Sequence, residues 1–377
     1  MAANPLDIQE ILDETIGLLA REPSTLLACA LVARSWVDTA QSHLFRAPAK
    51  TKPKFPFEES LALLFDQALS NNTRLIHHVR ELSFAVGTRS TVIADEILDR
   101  LSRHQFARLE RLQLVAVILK SWPSEAIQRL VKSPSLRYFT VTDYSEASPP
   151  PLAQWFKGSL STIQHLDLRY RLPDSDVPSR AAVDSIPPLF VKSARLEFGN
   201  SDFSLVYPFS LSRVQALALT RIPSLPLDII PMDLIRILDV DYHDTFPVKL
   251  SVFPNLSVLR INVLERFPPA LLSNLATISP QNNIQTMVIS YLPLDTYVPW
   301  HHFQSIDSLL SQVFHLGDLV VELEFGVRKH SAPEQEKRWE ENSRDSFVNA
   351  CERNAFRFVV RDSEETAEWW HNLVDKL

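Results

Sequence analysis

The sequence predicts an α/β protein: a short three-helix unit at the N-terminus, followed by an irregular repeat solenoid with a parallel sheet. Two observations predict it. Residues 5 to 46 hold three short helical patterns with more apolar side chains than so small a unit can bury in itself. From Val79 onward one template, apolar-x-x-apolar-x-apolar, returns again and again.

The first helix has clear starting chemistry. Asn4 suits an N-cap, and Pro5 suits the first helical position, where its missing N–H costs nothing. Ile8, Ile11, Leu12, Thr15, Ile16 and Leu19 recur at helical spacing, with Asp7, Gln9, Glu10, Asp13 and Glu14 on the other face. Pro23-Ser24 ends this helix and caps the next. In that second helix Leu27, Ala28, Leu31 and Val32 share a side, while Leu26, Cys29 and Ala30 are apolar as well. A helix apolar nearly all round is covered from more than one direction. A third helix begins at Ala33-Arg34-Ser35-Trp36 and ends near Leu44-Phe45. With one cysteine in this stretch and no metal-ligand cluster, a partner protein is the natural cover for the surplus apolar surface. The plain alternative is a helical cap on the larger domain.

Residues 48–60 read as a linker, because the prolines and lysines between Arg46 and Pro56 resist regular structure. The repeats are expected over residues 61–330. They run Val79/Leu82/Phe84, Leu109/Leu112/Leu114, Leu136/Phe139/Val141, Ile163/Leu166/Leu168 and a degenerate copy at Ser193/Leu196/Phe198. They continue as Val214/Leu217/Leu219, Ile235/Leu238/Val240, Leu256/Leu259/Ile261, Ile284/Met287/Ile289 and Val320/Leu323/Phe325. The middle residues are spaced by 30, 27, 27, 30, 21, 21, 21, 28 and 36 positions. Most of these fall in or beside the range of about 20–29 residues of leucine-rich repeats. In such an array each short strand sends alternate side chains inward, and the chain returns along an outer layer before laying down the next strand. Return helices are expected at 94–101 and 124–131, and proline-rich extended returns where the spacing is short, as at Ile222 to Leu227. Polar, proline-rich loops are expected at 145–151 and 173–188. A cap is expected over 331–377, with a helix over 334–353, a strand at Phe356 to Val360 and Trp369-Trp370 closing the array. A mixed α/β domain of another topology is the competing fold.

The N-terminal residues resemble an F-box. The resemblance rests on Pro5-Leu6-Asp7-Ile8-x-x-Ile11-Leu12, Leu26-Leu27-x-Cys29-x-Leu31-Val32-x-Arg34-x-Trp36 and His43-Leu44-Phe45. It covers residues 4 to 46 and is most similar to the fungal variant of the family. Asn4 stands where the family usually has leucine, which removes one apolar contact, and Ala33 stands where it usually has cysteine. The resemblance implies residues 1–47 docking on a Skp-type adaptor of a cullin ubiquitin ligase through Pro5, Leu6, Ile8, Ile11, Leu12, Leu27, Leu31, Val32 and Trp36. The repeats, which lack the asparagine ladder typical of leucine-rich repeats, resemble the irregular arrays often found behind an F-box. That implies a substrate protein held on the strand face turned away from the core. The period of two places Tyr138, Thr140, Thr142, His165, Asp167, Arg169, Asp239, Asp241, Arg260 and Asn262 there.

Composition excludes other classes. A net charge of −7 and a pI near 5.9 lack the basic field of a nucleic-acid binder. Two cysteines exclude a disulfide framework. No basic n-region followed by an apolar stretch opens the sequence, which disfavours a secretory signal, and no apolar run approaches the roughly 20 residues of a membrane span. The expectation is a soluble protein of the cytoplasm or nucleus. Six glycines form no phosphate loop, and there is no GxSxG, HExxH or CxxC. The chain is therefore read as no enzyme and as having no cofactor. The best metal-like cluster is Asp239-Val240-Asp241-Tyr242-His243-Asp244, and solvent-facing strand positions account for it more simply. Two functions are compatible with these features: a ligase substrate receptor, and a non-ligase scaffold whose N-terminal helices only cap the solenoid.

Overall fold

The computed structural model describes residues 9–19, 22–32, 34–46, 59–87, 95–117, 122–143, 152–159, 162–170, 187–198, 206–220, 230–242, 249–264, 270–278, 282–292, 298–313, 319–326, 333–361 and 363–377. The chain divides into two compact units, one of residues 1–189 with 204–209, the other of 190–203 with 210–377.

In the first unit, α1 (Gln9–Leu18), α2 (Pro23–Val32) and α3 (Arg34–Arg46) close on a small core of Ile16, Leu26, Cys29 and Ala40. The Thr39 hydroxyl donates to Asp13 Oδ1 at 2.6 Å, fixing α3 to α1. The end of α3 is tied to the strand-bearing part of the unit at two points. Phe45 stacks on Phe65 of α4 (Glu59–Asn71), with ring centroids 6.1 Å apart, and the Arg80 N–H donates to the Arg46 carbonyl at 2.9 Å. Beyond Arg80 strands and helices alternate: β1 (Glu81–Gly87), α5 (Asp95–Ser102), β2 (Arg111–Val117), α6 (Ser124–Leu130), β3 (Tyr138–Asp143), α7 (Leu152–Phe156) and β4 (His165–Tyr170). The strands pair in parallel and in chain order, with Leu82, Leu112, Phe139 and Leu166 side by side in one buried row. The helices expected at 94–101 and 124–131 are α5 and α6. Gly158, with φ at +71°, turns the chain out of α7 in the left-handed region that glycine adopts freely.

Two-residue strands β5 (Leu189–Phe190) and β7 (Phe209–Ser210) fall beside the segment where the chain passes between units. The second unit holds β6 (Ser193–Phe198), β8 (Ala216–Thr220), β9 (Ile237–Tyr242), β10 (Val258–Leu264), α8 (Ala270–Leu275), β11 (Thr286–Leu292), α9 (Trp300–Val313) and β12 (Val320–Gly326). It ends with α10 (Pro333–Ser346), α11 (Val348–Glu352), β13 (Phe356–Arg361) and α12 (Ser363–Val374). Its seven longer strands also run parallel in chain order, and the pairing continues past residue 330, with Val321 beside Phe356.

A backbone motif repeats at the strand starts. The carbonyl just before one strand accepts from two consecutive N–H groups at the start of the next. Arg80 accepts from Glu110 and Arg111, Glu110 from Arg137 and Tyr138, and Arg236 from Ser257 and Val258. Where an asparagine ladder is lacking, other side chains bridge the returns. Ser133 Oγ donates to the Leu109 carbonyl at 3.1 Å, Ser159 Oγ to Val131 at 2.8 Å, and Asn282 Nδ2 to Phe253 at 2.7 Å. Buried carbonyls need such partners, and several residue types can supply them.

Two copies of the template need correction. Register aligns Ala194, not Leu196, with Leu217, and Val321, not Leu323, with Met287. The template places both copies two residues late because, in the true register, alanine fills the middle slot of one copy (Ala194) and Asp318 stands at the first apolar slot of the other. A two-residue slip keeps the same face, so Leu196 and Leu323 remain buried, beside Leu219 and Ile289. The helix expected over 334–353 is broken at Phe347. There Asp307 of α9 accepts from Asn349 N–H at 2.9 Å and Ala350 N–H at 3.1 Å, satisfying the start of α11. The loop expected at 145–151, residues 173–186 of the one expected at 173–188, and the return at 222–227 lie outside the described residues.

Candidate functional site

The helical unit turns one face inward and another to solvent. Leu26 and Cys29 of α2 enter the small core, while Leu27 and Leu31, four residues apart and therefore on one face, are 58% and 88% exposed. On α1, Ile11 and Leu18 are also exposed, the latter at 82%. Trp36, expected as a docking residue, is half-buried and packs against the core of Ile16, Leu26, Cys29 and Ala40. Its ring completes the unit itself. Pro5, Leu6 and Ile8 lie outside the described residues, as do the side chains of Leu12 and Val32.

In the first unit the strand face opposite the core is polar and partly open. Register sets Glu81, Arg111, Tyr138 and His165 in one row. The Arg111 guanidinium lies 3.9 Å over the Tyr138 ring, which stacks on His165 with centroids 4.2 Å apart. In the next rows Asp167 takes a bidentate pair from Arg169, at 2.8 and 2.6 Å. Tyr138, Thr140, His165, Asp167 and Arg169 are half-buried, whereas Thr142 is buried.

The second unit departs from expectation. Asp239 and Arg260, expected to face solvent, are buried, Arg260 being only 3% exposed. The cause is α12, which lies on this face. Trp370 and Val374 join Ala216, Ala218 and Ile237 in one cluster, with Val258, Trp369, Leu373 and Leu377 packed against it. The guanidinium of Arg195 lies 5.0 Å over Trp370, and that of Arg260 lies 4.9 Å over Trp369. Beneath and beside the helix runs a ladder of charges. Arg195 meets Asp239 at 3.4 Å, and Arg260 stands 3.7 Å from Asp239 and donates to Glu324 at 2.6 Å. Arg361 donates to both Glu322 and Glu324 at 2.5 Å. Asn262 donates to Asp239 at 2.7 Å and to Asp241 at 2.8 Å. Arg195, Glu322, Glu324 and Arg361 are not singled out by the sequence reading. A signal for two of them exists in Val320-Val-Glu-Leu-Glu-Phe, where glutamates alternate with core residues.

The Asp241 carboxyl is pushed up to about 6, first by burial, then by the charge of Asp239; Asn262 opposes the shift and Glu197 adds to it. Below its ordinary value of 3.8 the group is protonated folded or unfolded and exacts no penalty. As pH rises through about 6 it ionises in the folded state as well, and the stability present in acid is lost. Asp241→Asn should therefore stabilise the chain at pH 7 by up to about 3 kcal/mol, since each tenfold change in the ionisation constant is worth roughly 1.36 kcal/mol. The gain should fall to about 0.5 kcal/mol at pH 4, just above the ordinary value of 3.8. Urea titrations of both proteins at the two pH values check this; an equal effect at both would contradict the assignment.

Among the described residues no group of histidine, cysteine, aspartate or glutamate side chains could hold a metal ion, and His243 of the metal-like cluster lies outside them. No described helix is long and apolar enough to cross a membrane. No protein-family model matches this sequence, and no curated protein matches it.

Proposed function

We propose that this chain is the substrate-receptor subunit of a Skp–cullin–F-box type ubiquitin ligase, its N-terminal helices docking on the adaptor and a leucine-rich-repeat-like solenoid holding a substrate protein. The observation that carries this reading is the outward placement of Leu27 and Leu31. A cap needs contact with the rest of its unit, and α3 supplies it through Phe45 on Phe65 and through the Arg46 carbonyl, which accepts from the Arg80 N–H. It has no use for leucines on the far side of α2. Large exposed apolar side chains sharing one helix face are what a docking surface requires. The half-buried face of Tyr138, Thr140, His165, Asp167 and Arg169 offers a substrate protein aromatic and charged groups.

The test is direct binding of the full chain to a purified Skp-type adaptor. The expected result is a one-to-one complex with a dissociation constant below about 1 μM. Absence of binding by a folded chain would leave the scaffold reading in its place.

A further inference from the structure

The core of the second unit is complete without α12. Leu196, Leu217, Leu219, Leu238, Leu259 and Ile289 are all buried on the opposite face of the strands. The surface under α12 is of a different kind. Ala216 and Ala218 leave a recess at adjacent rows of β8, in which Trp370 and Val374 sit against Ile237. Around this recess the surface is charged and carries its own pairing, Arg195 with Asp239, Arg260 with Glu324, and Arg361 with Glu322 and Glu324. Such a face would be well solvated if uncovered. Covering it leaves Arg260 Nε buried with no hydrogen-bond partner among the described residues. Apolar contact holds the helix down, and desolvated charge works against it.

We infer that the face formed by Ala216, Ala218, Ile237, Arg195 and Arg260 is a binding surface for an amphipathic helix bearing two adjacent aromatic residues, with α12 as its resident, exchangeable occupant. The chemistry of an incoming segment is set by the side chains that α12 presents. It needs two neighbouring aromatic rings to lie under the guanidinium groups of Arg195 and Arg260, and aliphatic residues one turn further on, as Leu373 and Val374 are. A partner protein carrying such a helix binds by displacing α12. This surface is independent of adaptor docking and would serve a scaffold equally.

The test uses the full-length chain and a fluorescent peptide of residues 363–377 as probe. Trp369→Ala/Trp370→Ala should free the face, so the variant binds the peptide at least about tenfold more tightly than the wild type, whose own helix competes. A peptide with both tryptophans replaced by alanine should not bind. Hydrogen exchange on the wild type should show α12 opening while β9 and β10 stay protected. Three results would overturn the inference. They are no peptide binding by a variant whose strands remain protected, loss of protection throughout the second unit in the variant, and α12 exchanging as slowly as β9 in the wild type. Dimers of the wild type that exchange α12 between copies would also overturn it, by making a second chain the occupant.

Discussion

Glu324→Gln should cost the second unit about 3–5 kcal/mol, the range for removing one partner of a buried ion pair. Glu324 is 1% exposed and serves two cations: one carboxylate oxygen accepts from Arg260 and from Ser290, the other from Arg361. The amide removes the charge and turns a donor toward one of the guanidinium groups. Arg361 keeps Glu322 at 2.5 Å, but the one carboxylate left beside Arg260 is Asp239, at 3.7 Å, with the neutral Ser290 hydroxyl at 3.2 Å. The burden therefore falls on Arg260, which is buried on every side and already has an unpartnered Nε.

The size of the effect reports an uncompensated charge and not the worth of the pair. The double variant Glu324→Leu/Arg260→Met should accordingly recover much of the loss, since apolar groups of similar volume replace buried ions at little cost. Denaturant unfolding of the wild type, both single variants and the double variant gives the coupling directly. If Glu324→Gln were neutral, the pairs of Glu324 with Arg260 and Arg361 would be solvated in solution.

The strand array was legible in the sequence because its signal is repetitive and local. Leu112, Phe139, Leu166, Leu217, Leu238 and Leu259 each sit at the middle of the same six-residue template, and each lies in register with the next copy in its own unit. Ala194 escaped because alanine is a weak apolar signal, and Val321 because Asp318 breaks the apolar template three residues before it. The charged face was harder. A period of two tells which side of a strand Asp239 and Arg260 occupy, but not what lies on that side. Their cover arrives from residues 363–377, more than 100 positions later, and a contact of that range leaves no pattern in either segment. The same holds for Arg260 and Glu324, which are 64 residues apart. The helical unit was half legible: the surplus of apolar residues on α2 was plain, but helical spacing alone did not separate Trp36, which the unit keeps, from Leu31, which it presents.

That separation gives the second large effect. Leu27→Asp/Leu31→Asp should weaken adaptor binding by more than about thirtyfold, since truncating a hot-spot residue costs at least roughly 2 kcal/mol and each 1.4 kcal/mol is tenfold. The fold should be nearly unmoved, because both side chains are exposed and neither belongs to the core of Ile16, Leu26, Cys29 and Ala40. Each substitution should cost only about 0.5 kcal/mol, mostly in helix propensity. Trp36→Ala provides the contrast. Its ring lies against that core, so this variant should lower the thermal stability of the helical unit, and any loss of binding should follow the loss of structure. Calorimetric titration of the adaptor against each folded variant, with circular dichroism melts alongside, separates the two cases. Adaptor affinity within about twofold of wild type for Leu27→Asp/Leu31→Asp would remove this face of α2 from the docking surface, and with it the observation on which the ligase reading rests.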